Sequence, residues 1–354
     1  MMTSAERVQA AVLLKEPDRV PVFSFPFSIS HRVYGCTLGE WIQDGELAGK
    51  SAVQYQKLIG DDIVLGGLDA MTEARGFGQE IIFPKDATAY PNFDNPLVKT
   101  PDDYFKLERY DPTKAPRTKE LIRQVDVIAN EIGSTVAVAA CIIGPLETLI
   151  NMRPAEKMFR DCLKFKEGVI HAVEIITDVE QDLVKALVKA GASIFYNCVS
   201  LGANTIMREK LWLEIEGPIM ARWAETVREC GAKLALHNCA NGPYVQAQIN
   251  SCNPDVYHIS HLPPDCKDWK DVKEKYGGKV CLQGYVDATR YGVFGNPEEI
   301  KEECKKQIQE LGKGGGYILG SGCEYPSNAS LLNAKAMVEA AALYGPYGNQ
   351  GPFS

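Results

Sequence analysis

His237 and Cys239 stand two apart at the end of the short apolar run Lys233–Cys239. Successive side chains of an extended strand alternate between faces, so an imidazole and a thiol at this spacing share one face. Cys323 sits at the tip of another such run, in Gly322-Cys323-Glu324 just beyond Tyr317–Gly320. One imidazole and two thiolates are a common zinc ligand set, and three protein ligands leave a position open for substrate. The paired Cys-x-x-Cys knuckles of a four-ligand structural zinc are absent from the sequence. Small buried thiols would explain the same residues. The chain has 11 cysteines, an odd number, and nothing marks it as secreted, so reduced thiols are expected throughout. Spacing alone leaves zinc and plain burial both open. The zinc reading makes a geometric demand: with Zn–S bonds of about 2.3 Å, the two sulfurs must lie within about 5 Å of each other.

Residues so far apart in sequence converge only if their elements bring them to one place. Eight short apolar runs recur along the chain: Val20–Phe27, Ile63–Leu68, Thr135–Ile142, Ser193–Cys198, Lys233–Cys239, Val256–Ser260, Lys279–Gly284 and Tyr317–Gly320. Amphipathic stretches long enough to be crossover helices lie between them, among them Leu47–Ile59, Val169–Ala190, Pro218–Cys230, Pro297–Leu311 and Leu331–Tyr344. This alternation predicts a single (β/α)8 barrel, the TIM-barrel class of α/β protein, over residues 1–354. Runs such as AVAAC, ASIFY and KLAL are apolar on both faces, as buried parallel strands are. An open doubly wound sheet would carry a glycine-rich loop after its first strand, and the chain has no glycine between Phe27 and Gly35. Residues 69–115, broken by Asp94, Pro96, Pro101 and Pro112, are expected to be an insertion after strand two, with a hairpin near Glu80–Phe83, set at the barrel mouth. Thr3 and Glu6 form the capping box of an opening helix. GKGGGY, 312–317, reads as a helix end turning into a strand rather than a phosphate loop.

Catalytic groups of such a barrel come from the C-terminal strand ends. The motifs there, with the opening RVQAAVLLKEPDRVPVF, the segments ALHNCAN and GGKVCLQGYVDA, and GGGYILGSGCEYPSNASLLNAKAMVEAA, resemble the uroporphyrinogen decarboxylase-like superfamily over nearly the whole chain. Within it they are similar to the cobamide-dependent methyltransferases: methylcobamide:coenzyme M methyltransferases, chloromethane methyltransferase and the methyltransferase I components of O-demethylases. The resemblance implies a zinc site at His237, Cys239 and Cys323, and methyl transfer between a small thiol or methyl ether and the cobalt of a corrinoid. No His is preceded two residues earlier by Asp, so the Asp-x-His-x-x-Gly cobalamin signature is missing and the corrinoid is expected on a separate partner protein. The decarboxylase branch is the alternative. It typically carries arginines in the stretch matched here by VPVFSFPFSIS, which has none, and a His-Gly where this chain has Gly322-Cys323-Glu324.

Three further residues are candidates for catalysis. His261 would be a fourth ligand or an acid/base, or else a surface histidine before Pro263-Pro264. Asp287 matches the family's Gly-x-x-Asp as Gly284-Tyr285-Val286-Asp287, with Tyr285 in place of the more usual Asn; it would cap a helix or bind substrate. Glu324 points away from Cys323 on an extended strand but could swing in at a loop. Of Phe23, Phe25, Phe27, Tyr196, Tyr257, Tyr285 and Tyr325, most should be core, with two or three lining a pocket fit for a methoxylated ring. Cys141 and Cys198 are expected to be buried thiols. Net charge of −8 without a basic cluster argues against nucleic acid. The lack of a long apolar run or signal peptide argues for a cytoplasmic protein.

Overall fold

The computed structural model describes residues 2–348 and 353. Seven parallel strands form one sheet in the order β1 (Ile63–Gly66), β4 (Ala137–Ile143), β5 (Ile194–Cys198), β6 (Lys233–Asn238), β7 (Val256–Ile259), β8 (Cys281–Gln283) and β9 (Tyr317–Ile318). A separate antiparallel pair, β2 (Ile81–Ile82) and β3 (Tyr90–Pro91), lies between β1 and β4 in sequence. Long helices cross over between the strands, including Gly45–Ile59, Pro116–Ile132, Lys166–Lys189, Gly217–Glu229 and Pro297–Leu311. No helix among the described residues is long and apolar enough to cross a membrane.

The eighth position of the barrel is held by the first apolar run, which does not form a regular strand. Val22 and Pro26 bridge in parallel to Leu319 and Tyr325, and on the other side Asp62 N donates to Val22 O at 2.7 Å. Proline nitrogens at 21 and 26 cannot donate to a ladder, and Phe25 has φ of 58°. The amides of Val22 and Ser24 instead donate to side chains, to Asp62 Oδ2 at 2.8 Å and Asp61 Oδ2 at 3.1 Å. The expected strand Val20–Phe27 is thus a bent closing segment that pairs in pieces.

Alternation along the strands splits the core into two layers. Phe23, Phe25, Ile63, Leu65, Ala139, Tyr196, Ala235, Val256, Cys281 and Ile318 pack together inside the barrel, with Val8, Ala11 and Val12 from the opening helix Ser4–Val12. Residues of opposite parity, such as Val64, Val138, Leu234, Leu236, Tyr257 and Leu282, face the helices. The opening helix keeps its capping box, with Glu6 N donating to Thr3 Oγ1 at 3.2 Å and Thr3 N to Glu6 Oε2 at 2.8 Å. Its amide at Ala5 bonds Thr135 O, just before β4, so it sits at the N-terminal end of the strands and leaves their C-terminal ends free. Residues 69–115 hold a short helix at Thr72–Gly76, the β2–β3 pair and a 3-10 turn at Pro101–Lys106. Gly314, Gly315 and Gly316 all have positive φ and turn the chain into β9 without any phosphate-loop geometry.

Candidate metal centre

His237 lies next to the last residue of β6, in register with Cys198 on β5 and His258 on β7. Inward parity continues one step past the strand to Cys239. Cys323 arrives from the loop after β9. That loop passes so close to its neighbours that side chains are excluded: a Cβ on Gly320 would sit 2.1 Å from Phe23 O, and one on Gly322 would sit 2.8 Å from Ser260 Cα. The two glycines therefore let the backbone carry Cys323 to the mouth. One ligand atom from each of His237, Cys239 and Cys323 lies within 4.8 Å of the others, as the zinc reading requires. Cys323 Sγ is 3.9 Å from His237 Nε2, and Ser200 Oγ is 3.5 Å from Cys239 Sγ.

The proton inventory fixes which nitrogen faces the sulfurs. His258 Nε2 is 2.7 Å from Ser321 O, which can only accept, so Nε2 carries a proton. Burial holds His258 well below the usual imidazole range, so it is neutral and its Nδ1 is an acceptor. His237 Nδ1, 2.9 Å away, must then be the donor. His237 Nε2 is left with its lone pair toward the two cysteines. Phe25 stacks on the His237 ring at 5.1 Å and meets His258 edge-on at 4.5 Å, holding both rings in place. The two thiols also perturb each other. Cys239 is held below the usual thiol range, first by its hydrogen bond with Cys323, while the same contact pushes Cys323 up. Two thiols beside an imidazole lone pair fit a zinc ion, in whose presence both would ionise.

The other sequence candidates separate. Glu324 turns toward the mouth, where Ser28 Oγ donates to its Oε1 at 2.7 Å, and burial raises its carboxyl above the usual range. Asp287 is exposed and caps the turn Ala288–Val293, accepting from Thr289 N at 3.0 Å and Arg290 N at 2.9 Å. His261 is exposed and is not among the residues that converge with the cysteines. A cavity of about 320 Å³ adjoins the cluster, lined by Phe25, Phe27, Ser28, Ile42, Leu68, Asp69, Met71, Thr88, Cys141, Cys198, His237, Cys323 and Glu324, among others. Its outer wall thus includes residues of the 69–115 segment, while Cys323 remains exposed to solvent. Of the aromatic set, Phe25 and Phe27 line the cavity. Tyr285 does not; it stacks on Trp269 with ring centroids 3.6 Å apart. Cys141 is buried and Cys198 half-buried, their sulfurs 3.9 Å apart in the cavity wall. All 11 cysteines are free. Sequence reasoning did not single out His258, Ser321, Ser28 or the buried ion pair of Asp69 with Arg117; His258 had a visible signal, its place at a strand end beside the run that carries His237.

The family model described as uroporphyrinogen decarboxylase (URO-D) matches residues 3–344. A methylcobamide:CoM methyltransferase, MtaA, of Methanosarcina barkeri is 23% identical over 97% of this chain and 98% of its own. A uroporphyrinogen decarboxylase of Pseudoalteromonas translucida is 22% identical, covering 84% of this chain and 83% of that one. Among solved structures, a methyltransferase from Methanosarcina mazei superposes with a TM-score of 0.80 at 20% identity, over 97% of this chain and 99% of that one. A B12-independent methionine synthase from Shewanella reaches a TM-score of 0.52 at 14% identity, over 84% and 87%. These structural likenesses concern the fold.

Proposed function

The chain belongs to the uroporphyrinogen decarboxylase family, and from that premise we propose that it is a zinc-dependent methyltransferase moving a methyl group between a small thiol or methyl ether and the cobalt of a partner corrinoid protein. The observation that carries this reading is the convergence of His237, Cys239 and Cys323 at the barrel mouth. The likeness to the methylcobamide:CoM methyltransferase, end to end in both chains, supports it. So does the cavity beside the cluster, which has the volume of a small-molecule site. A substrate with several carboxylates, as the decarboxylase reading needs, would meet Asp69 and Glu324 there and no arginine or lysine. We read the chain as one barrel, with residues 69–115 as an insertion bordering its mouth, and the free thiols fit a reducing, cytoplasmic setting.

In this reading His237, Cys239 and Cys323 hold the metal. Bound there, zinc would supply Lewis acidity to a substrate heteroatom, as thiolate or as leaving alkoxide. The chain's own residues do the rest. Ser321 and His258 fix the His237 tautomer and Phe25 fixes its plane. Phe25, Phe27 and Leu68 present an apolar wall that excludes water from the reacting atoms. Exposure of Cys323 leaves the cluster reachable from the side on which a partner would dock. The test is metal analysis with a methyl-transfer assay: about one zinc per chain, lost in Cys323→Ser, and a change in cobalamin absorption when a thiol or methyl ether is added. A metal-free protein that releases carbon dioxide from a porphyrinogen would overturn the proposal.

A further inference from the structure

The charge of the cavity wall bears on which substrates it accepts, given the methyltransferase reading above. Among the residues that line it, no lysine or arginine occurs. Two carboxylates do, and they differ. Asp69 is paired with the guanidinium of Arg117, and both side chains are buried, at 6% and 7% exposure. Arg117 is further committed to Ile42 O, so it has no free charge to offer a ligand. Glu324 has no cationic partner. Its Oε1 accepts from Ser28 Oγ and from Ser28 N, at 2.7 and 3.4 Å, and no donor among the described residues reaches its Oε2. A dication held by one neutral imidazole and two thiolates adds no net charge.

We infer that this site takes a substrate without a negative charge, a neutral or cationic small thiol or methyl ether, and that the free edge of Glu324 together with the missing cation sets that preference. An anionic tail entering the cavity would lose its water and find no cation, which is costly in a partly desolvated site. Ionised, Glu324 repels an anion and attracts a cation; protonated, its O–H can donate to an anion but supplies no positive charge to offset the lost hydration. Phe25 and Phe27 stand close to it in the wall, 5.1 Å apart edge to face, and aromatic faces favour apolar or cationic groups over anions. The preference is a matter of selectivity, read as a difference between ligands, rather than of the zinc chemistry.

Three thiols that differ only in the tail provide the test: 2-mercaptoethanol, cysteamine and 2-mercaptoethanesulfonate. Calorimetric titration of the zinc-loaded protein should give affinities for the neutral and cationic thiols at least about tenfold above that for the sulfonate. Glu324→Lys should reverse the order of cysteamine and the sulfonate. Glu324 neighbours a candidate ligand, so Thr88→Lys, which places a cation on an exposed residue of the cavity wall, is the second variant and should improve sulfonate binding severalfold. Equal or tighter binding of the sulfonate by the unaltered protein overturns the inference, and so does an unchanged order in both variants. If the order holds but no thiol or ether takes part in methyl exchange with cobalamin, the methyltransferase reading fails while the charge preference stands.

Discussion

His258 touches no candidate metal ligand through its metal-facing side, yet its replacement should be felt there. With His258→Leu the Nδ1 proton of His237 loses its acceptor, and the His237 ring is free to adopt the other tautomer or to turn. Outer partners of this kind are worth about 10- to 100-fold in metal affinity. Zinc should therefore be lost to a competing chelator at concentrations 10- to 100-fold lower, with the far-ultraviolet circular dichroism of the barrel retained; an unchanged competition curve would show that His237 is oriented without it. Which parts of this centre could be read from sequence follows from how each residue is placed. His237 and Cys239 share a strand, and a period of two sufficed. Cys323 stood out as a thiol at a strand end. The His258 relay depends on β6 and β7 pairing so that position 237 faces position 258, and register between strands is not written in either strand alone. Glu324 turns the way strand alternation would not place it, because the chain has already left β9 and become a loop.

At the scale of elements, the loop after β9 is built from backbone approach rather than side-chain packing. In Gly322→Ala the new Cβ would lie 2.8 Å from both Cα and Oγ of Ser260. One of the two segments must then move, and the moving one carries Cys323 on one side and the Ser321 carbonyl on the other. Overpacking of this kind costs about 1–3 kcal/mol. The expected outcome is a melting temperature lowered by several degrees together with reduced zinc content; a variant that melts lower but binds zinc normally would place the strain elsewhere. The barrel itself was legible, since seven of the eight runs are strands in the expected order. The first run was misjudged in kind though not in place. Its prolines at 21 and 26 were visible, but that Asp61 and Asp62 would take over the role of strand carbonyls could not be seen until they lay beside it.

The whole molecule also holds acidic groups where no sequence pattern announces them. Glu73, Glu180 and Glu216 are at most 1% exposed, and Glu180 has both carboxylate oxygens without partners. Burial raises Glu73 to about 8 and Glu216 to about 7, against 4.5 ordinarily. The folded protein thus keeps protons on Glu73 and Glu216 that the unfolded chain releases above pH 4.5, so their contribution to stability is lost as the pH rises from there through the folded values of about 7 and 8. Glu73→Gln removes its share of that slope. At pH 8.5 it should be more stable than the parent by on the order of 1–3 kcal/mol, with little difference at pH 5. Denaturant titrations at the two pH values check this, and a gap that does not widen with pH would contradict it.

The closing segment has a consequence for the order in which the molecule comes into being. Val22 and Pro26 pair with Leu319 and Tyr325, so the first apolar run and the segment at β9 must meet before the barrel is a closed ring. Contacts of such long sequence separation form late and slowly. A ribosome that has released His237 and Cys239 has not yet made Cys323, and Phe25 has no partner strand on which to settle against the imidazole. On the zinc reading, the nascent chain carries only two of the three candidate ligands until Cys323 is made, and the site is complete only once the ring has closed. Metal uptake followed in real time during refolding would then mark the moment of closure, rising with the slowest folding phase and with none of the earlier ones.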